Sequence, residues 1–171
     1  MRLLLPSSTL TDLELIELIS KLKIPAFIGA LMSDQLRSRR GYNQENNNDF
    51  SAIVNLGSSD TLGTHWTALA SVAGQRYYFD SFAAPPPTTV LRFLKTRRDF
   101  EKEIPNILCN AQCVQADRAT NCGALCVYFL YHLNLGVPFD AIIRDLREGF
   151  ERGRKELWVT TTTGKSNSPW K

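Results

Sequence analysis

The fold is decided by the stretch Asn121-Cys-Gly-Ala-Leu-Cys-Val-Tyr-Phe-Leu-Tyr-His-Leu-Asn-Leu135. Apolar side chains fill almost every position of this stretch instead of one face of it, and that pattern is typical of a helix buried on all sides. The sequence therefore predicts a helix over residues 122–135 in the centre of the molecule, around which the other elements pack.

The first residue of this helix is a candidate nucleophile. Cys122 follows Asn121 directly, and a thiol at a helix N-terminus lies at the positive end of the helix dipole, which favours the thiolate. The thiolate is the nucleophilic form. Gly123, which lacks a side chain, would let a substrate backbone come close. Taken alone, a cysteine such as Cys122 is more often a small buried apolar residue than a nucleophile.

Upstream of this helix, residues 65–72 and 75–82 have the composition of two strands of a β-hairpin. Both segments are rich in aromatic and aliphatic residues, and Ala73-Gly74 between them supplies the turn. A two-residue turn at this place fixes the pairing of the strands and puts Val72 opposite Gln75.

The same register puts Thr67 opposite Asp80. His65 then projects from the same face as Asp80, as a diagonal neighbour about 7–8 Å away at the backbone, a gap that side chains can close. A carboxylate that accepts a hydrogen bond from an imidazole fixes its tautomer and stabilises the imidazolium. A shift of one residue in the pairing would put the two on opposite faces.

The remaining segments predict an α+β fold. The chain combines helices and strands without regular alternation, which favours a small mixed or antiparallel sheet packed between helices. The predicted helices cover residues 11–22 (behind a capping box at Thr11-Asp-Leu-Glu14), 27–36, 88–98 and 138–150, and further strands are expected at residues 51–56 and near Cys113-Val114. Residues 1–171 are expected to form one domain, with a polar loop at 41–49 and a frayed tail from about 160 to 171.

Composition limits the classes of function. The net charge of +3 is mild, so it does not demand a nucleic-acid partner. The apolar run before Pro6 is too short for a signal peptide, and polar residues interrupt the uncharged run 119–139, so no membrane span is expected. Four cysteines without a secretory signal indicate a reducing, intracellular compartment.

Three segments resemble the catalytic segments of the adenovirus protease (adenain) and of the SUMO-deconjugating proteases, which belong to one clan of cysteine peptidases. They are Gly63-Thr-His-Trp-Thr-Ala-Leu69, Tyr78-Phe-Asp-Ser-Phe82 and Val114-Gln-Ala-Asp-Arg-Ala-Thr-Asn-Cys-Gly-Ala-Leu-Cys126. The order His, acid, Gln, Cys is the order of that clan. The step of seven residues from Gln115 to Cys122 is closer to the adenain branch. The resemblance covers roughly residues 60–135.

The resemblance implies a role for each matching position. Cys122 would attack the scissile carbonyl, with His65 as its proton partner and Asp80 orienting His65. Gln115 would donate its side-chain amide to the oxyanion hole. Adenain carries Glu at the acid position, and Asp is the commoner acid in the SUMO-protease branch. Trp66 is either a contact of the imidazole and substrate or a core aromatic residue.

The resulting prediction is a cysteine endopeptidase that cleaves after small residues of the Gly type and matures viral precursors. We expect it in the host cytoplasm or nucleus, with packaging in a virion also open. No cofactor is expected, because neither Cys109 nor Cys113 matches the cysteine through which adenain takes its peptide cofactor. Basic residues following Pro87 could contact DNA or form a solvated helix face: Arg92, Lys95, Arg97 and Arg98.

Three other functions stay open at this point. One is deconjugation of a ubiquitin-like modifier, and another is a binding module that keeps the fold without catalysis. The third is a zinc site made of Cys109, Cys113, Cys122 and Cys126, which form the pattern C-x3-C twice.

Overall fold

Helices and strands alternate irregularly along the chain, as an α+β fold requires. The computed structural model describes residues 2–38, 49–95 and 106–160. Within these ranges the elements are β1 (Arg2–Leu5), α1 (Asp12–Lys21), β2 (Phe27–Met32), a 3₁₀ helix (Ser33–Arg37), β3 (Phe50–Asn55), β4 (Trp66–Val72), β5 (Gln75–Phe79), α2 (Thr88–Leu94), β6 (Ile107–Cys109), α3 (Cys122–Asn134), α4 (Phe139–Glu151) and β7 (Leu157–Thr160). The predicted fold class is confirmed.

The main sheet is mixed and has helices on both faces. Its strand order is β2-β3-β4-β5-β6, with β3, β4 and β5 antiparallel and the two outer pairs parallel. Alternate residues of the strands enter two separate apolar clusters. Ile53 and Ala68 pack in the cluster that contains α3, whereas Val54 and Leu69 pack in the cluster that contains α2. This alternation follows from the period of two along a strand.

The β4–β5 hairpin has the predicted register. Val72 pairs with Gln75 and Ala68 with Phe79, so the next pair in the series is Thr67 with Asp80. Ala73 and Gly74 both have positive φ angles, 50° and 81°, as a two-residue turn of this handedness needs. The turn therefore brings the residue before β4 and the residue after β5 to the same end of the sheet.

Helix α3 is the centre of the fold, as its sequence predicts. Eleven of its thirteen residues are buried. Helix α1 packs near it and begins with the predicted capping box, in which Glu14 N–H donates to Thr11 Oγ1 at 3.3 Å and Thr11 N–H to Glu14 Oε2 at 2.8 Å. Leu10 and Leu15, which flank the capping box, both lie against Gly123 at the start of α3.

Two predicted elements are wrong. Residues 27–36 form strand β2 and the 3₁₀ helix, because the apolar run Phe27–Met32 pairs in parallel with β3. A run of this length fits a strand or a helix equally well in sequence. The strand expected near Cys113-Val114 lies at Ile107–Cys109, parallel to β5. Val114 is in a loop, where its N–H donates to Ser81 O at 2.8 Å.

A two-stranded sheet joins the two ends of the described chain, and the sequence did not predict it. β1 and β7 are antiparallel, with Arg2 opposite Thr160. The tail at 161–171, the loop at 41–48 and residues 96–98 of the predicted helix 88–98 lie outside the described residues. None of the helices described in 2–38, 49–95 and 106–160 combines the length and apolar character needed to cross a membrane.

Candidate active site

His65 and Asp80 meet at the end of the hairpin where β4 begins and β5 ends. Nε2 of His65 lies 2.9 Å from Oδ1 of Asp80. The Asp80 side chain is 1% exposed and that of His65 is 13% exposed, so water competes little for this contact. The predicted pairing of imidazole and carboxylate is therefore present in the structure. It leaves Nδ1 as the nitrogen of His65 that is free for another partner.

The carboxylate of Asp80 is held by groups that the sequence analysis missed. Phe82 N–H donates to Oδ1 at 2.8 Å, and the hydroxyl of Tyr78 donates to Oδ2 at 3.3 Å. The buried side chain of Asn110 fixes the backbone, since its Oδ1 accepts from Asp80 N–H at 3.0 Å and its Nδ2 donates to Asp80 O at 2.6 Å. These hydrogen bonds hold the Asp80 carboxylate in the position where it contacts Nε2 of His65.

Cys122 is the first residue of α3 and is 8% exposed. Burial alone would raise the pKa of its thiol, but the interaction with the His65 side chain and hydrogen bonds from the backbone N–H groups of Trp66 and Gly123 outweigh burial, so the pKa is lowered. The helix N-terminus, with its free N–H groups, acts in the same direction. The thiol is thus poised to ionise beside an imidazole.

The pKa of His65 changes in the opposite direction. Burial disfavours the imidazolium, but the hydrogen bonds to Asp80 and Cys122 and the negative charges of these groups raise the pKa of His65 to about 9. A raised imidazole pKa beside a lowered thiol pKa describes a pair that favours thiolate and imidazolium at neutral pH. This is the charge state in which cysteine is a nucleophile and histidine can donate a proton.

Gln115 lies in the loop before α3 and is 3% exposed. Its Nε2 donates to Ala119 O at 2.6 Å, and its Oε1 accepts from the Ser81 hydroxyl at 2.5 Å. The loop folds back as the step of seven residues to Cys122 allows, so that both side chains border one cavity. The structure therefore brings all four predicted site residues to one place.

This cavity has a volume of about 700 Å³ and lies along the N-terminal end of α3. The residues around the reactive group that line it are His65, Trp66, Phe82, Gln115, Thr120 and Cys122. Thr61, Leu62 and Gly63 continue the lining on the side of the loop before β4. A cavity of this size, open to solvent and bordered by a thiol and an imidazole, can accept an extended peptide segment.

Trp66 and Gly123 have packing roles that the resemblance did not imply. The Trp66 indole is 7% exposed and donates from Nε1 to Leu10 O at 2.9 Å. A Cβ added at Gly123 would lie 3.2 Å from Leu15 Cδ2 and 3.4 Å from Trp66 Cδ1, so this glycine permits the close packing of α1 on α3. Contact of either residue with substrate stays a prediction.

Phe82 is the aromatic ring that lies against His65. The two ring centroids are 4.9 Å apart at an angle of 38°. Phe82 is 37% exposed, so it covers the imidazole from the solvent side and at the same time supplies the N–H that fixes Asp80. Phe82 closes the segment Tyr78-Phe-Asp-Ser-Phe82, but the sequence did not predict its contact with His65.

The four cysteines do not converge on a metal site. Cys109 is exposed on β6, whereas Cys113 donates to Gln115 O at 3.1 Å and Cys126 to Trp66 O at 3.4 Å. Within the described ranges, which include all four cysteines, no group of three or more His, Cys, Asp or Glu side chains is placed to hold a metal ion. The zinc alternative therefore has no geometric support.

The predicted DNA contact is described in part. Arg92 is exposed on α2, and Lys95 caps the end of that helix. Arg97 and Arg98 lie outside the described residues. The DNA contact stays a prediction.

No protein-family model matches this sequence, and no curated protein matches it at a significant level.

Proposed function

We propose that the protein is a cysteine endopeptidase with Cys122 as nucleophile and His65 as proton carrier. The observation that carries the proposal is the contact of His65 with a buried carboxylate and with a thiol at a helix N-terminus, which moves the pKa values of imidazole and thiol in opposite directions. Perturbed pairs of this kind in a cavity are typical of reactive sites.

In the first half of the reaction, the thiolate of Cys122 attacks the scissile carbonyl carbon. A C–S bond forms, and the electron pair of the C=O bond moves to the oxygen. Collapse of this intermediate breaks the C–N bond, while the imidazolium of His65 gives its proton to the leaving amine. Asp80, bonded to Nε2, holds the ring in place and stabilises its charged form before that transfer.

In the second half, His65 acts as a base. Neutral imidazole takes a proton from water while the water oxygen attacks the carbonyl carbon of the thioester. The C–S bond then breaks, the carboxylic acid leaves, and Cys122 and His65 return to the thiolate–imidazolium pair. In both halves the negative oxygen needs donors that are already in place. Gln115 and the backbone N–H of Cys122 are the donors we propose, since both border the cavity at the thiol.

The substrate class follows from the resemblance to the adenain and SUMO-protease clan. We propose cleavage after Gly-type residues, in precursors of a virus and within the host cytoplasm or nucleus. The basic residues that follow Pro87 are the proposed DNA contact: Arg92, Lys95, Arg97 and Arg98. A matched pair of Arg92→Glu and Lys21→Glu, both exposed, tests the DNA part, because only Arg92→Glu should weaken DNA binding.

The test of the proposed function is cleavage profiling. A library of fluorogenic tetrapeptides that end in Gly-aminomethylcoumarin is incubated with the wild-type protein and with Cys122→Ala. We expect turnover by the wild type and none by Cys122→Ala. Equal signals from the two proteins would assign the hydrolysis to another residue or to a contaminant. A ubiquitin-like modifier joined to lysine through its terminal Gly, assayed alongside, separates deconjugation from endopeptidase activity.

A further inference from the structure

Ser81 is a buried polar residue that the reaction steps above do not use. It follows Asp80 directly and is 0% exposed. Its hydroxyl lies 2.5 Å from Oε1 of Gln115, and its backbone carbonyl accepts from Val114 N–H at 2.8 Å. Through these two hydrogen bonds, Ser81 connects the segment that follows β5, where Asp80 lies, to the loop that carries Gln115, the proposed oxyanion donor.

The neighbours of the Gln115 amide determine which way round it lies. The backbone oxygen of Ala119 can only accept hydrogen bonds, so the group 2.6 Å from it must be the NH₂ of Gln115. The carbonyl end of the amide then faces Ser81, and the Ser81 hydroxyl must be the donor. With both ends fixed, the planar amide has one N–H bonded to Ala119 and a second N–H left for another acceptor.

We infer that Ser81 is a positioning residue that keeps the second N–H of Gln115 directed at the developing oxyanion. The inference rests on the proposed function. Rotation of the amide by 180° would present Oε1, which repels a negative oxygen instead of stabilising it. Ser81 opposes that rotation, because only the observed orientation gives its hydroxyl an acceptor while the Ala119 carbonyl keeps a donor.

The experiment measures kcat and KM of four proteins on the best Gly-aminomethylcoumarin peptide: wild type, Ser81→Ala, Gln115→Ala and the double variant. We expect Ser81→Ala to lower kcat about tenfold, the effect of losing roughly one buried hydrogen bond in the transition state, with KM within twofold. Gln115→Ala should lower kcat on the order of 10²–10³-fold. In the double variant, Ser81→Ala should add nothing, since the amide that it positions is gone.

Two controls separate positioning from a general loss of structure. Ser51→Ala removes another buried hydroxyl, 1% exposed and bonded to Pro25 O at 3.2 Å, and should leave kcat unchanged. Alkylation of Cys122 by iodoacetamide proceeds without an oxyanion, so its rate in Ser81→Ala should stay within twofold of wild type. If Ser81→Ala does not fold, Ser81→Cys keeps the size of the side chain with a weaker donor and should show a smaller loss of kcat.

The outcomes are distinct. A kcat of Ser81→Ala (or of Ser81→Cys, if that is the variant that folds) equal to wild type would overturn the inference and leave the proposed function in place. So would an additional loss in the double variant, or a parallel fall in the alkylation rate. Absence of turnover in the wild-type protein would remove the proposed function itself, and this role of Ser81 with it.

Discussion

Each end of helix α3 has a largely buried histidine: His65 lies beside its first residue, and His132 is in its last turn. The two histidines differ in the direction in which the imidazole pKa is changed. At the N-terminal end, His65 contacts Asp80 and Cys122, and its pKa is raised to about 9. In the last turn, Nδ1 of His132 donates to Tyr128 O at 2.9 Å and the ring packs on Tyr128 at 4.0 Å, and burial lowers the pKa of His132. Burial acts on both imidazoles, so the partners decide the outcome.

The carboxylates near the two histidines explain the difference. Asp145, near His132, is already engaged by the Arg154 guanidinium at 2.9 and 3.0 Å and by the Tyr128 hydroxyl at 2.7 Å. In the described part of the chain, the Asp80 carboxylate accepts from His65 and from two uncharged donors, the Tyr78 hydroxyl and the Phe82 N–H. A carboxylate that shares its charge with a guanidinium attracts an imidazolium less than one that does not.

The largest expected effect is on the two thiols of α3. Cys122→Ala should lower turnover on the order of 10⁴-fold or more, because no nucleophile remains. Cys126→Ala, one turn further along, should keep turnover within a few-fold and cost about 1–2 kcal/mol of unfolding free energy, since Cys126 is fully buried and its thiol pKa is raised by burial. Turnover assays and chemical denaturation of both variants measure this. A Cys126→Ala variant as inactive as Cys122→Ala would contradict the assignment.

The next effect is on the two carboxylates. Asp80→Asn should lower kcat on the order of 10³–10⁴-fold, because an amide does not stabilise the imidazolium and favours the wrong tautomer of His65. The matched change Asp145→Asn should alter unfolding free energy but leave kcat within a few-fold. Steady-state kinetics of the two variants decide. Equal losses of kcat would mean that charge near α3 matters only for folding.

The pH dependence gives a smaller, graded effect. In the proposed mechanism, turnover needs the thiolate and the imidazolium together. We therefore expect kcat/KM to rise as the Cys122 thiol, whose pKa is lowered, loses its proton, and to fall as His65 loses its proton near pH 9. Above that pH the decline should approach about tenfold per pH unit. Asp80→Asn should move this decline to lower pH. A decline centred near the ordinary histidine pKa of about 6.5 would contradict the raised value.

The smallest effect is expected from His132→Phe, which should leave kcat within twofold. The effect of this change on the pH dependence of stability is informative. Because the pKa of His132 is lowered in the folded protein, the unfolded chain binds more protons than the folded protein once the pH falls below about 6.5. The free energy of unfolding therefore decreases as the pH falls. The wild type should therefore lose more unfolding free energy than His132→Phe between pH 7 and pH 5. Denaturation at both pH values measures this, and an equal loss would refute it.

The sequence predicts the features of the site that depend on short stretches of chain, namely the hairpin register and helix α3. A two-residue turn fixes the hairpin register, and the register alone brings His65 to Asp80. The apolar run after Asn121 allows only a central helix, which puts Cys122 at its N-terminus. The positions of these residues could be predicted because they depend on residues nearby in the sequence.

The parts that the sequence did not predict depend on distant pairings. The β1–β7 pair joins segments at the two ends of the described chain, and each strand has only four residues. Asn110 and Ser81 reach their partners across 30 and 34 positions of sequence. Local patterns contain no signal for such contacts, because polar residues in loops have the same composition whether they face water or hold a residue of the candidate site.

The most direct test of the central claim compares the reactivity of two thiols in one protein. Iodoacetamide is added in limiting amount at pH 7, and mass spectrometry of the digest gives the alkylation rates of Cys122 and of the exposed Cys109. If Cys122 is activated by His65, it reacts first although it is 8% exposed, and His65→Ala abolishes its advantage. Faster alkylation of Cys109, or a Cys122 rate that His65→Ala leaves unchanged, would contradict the account.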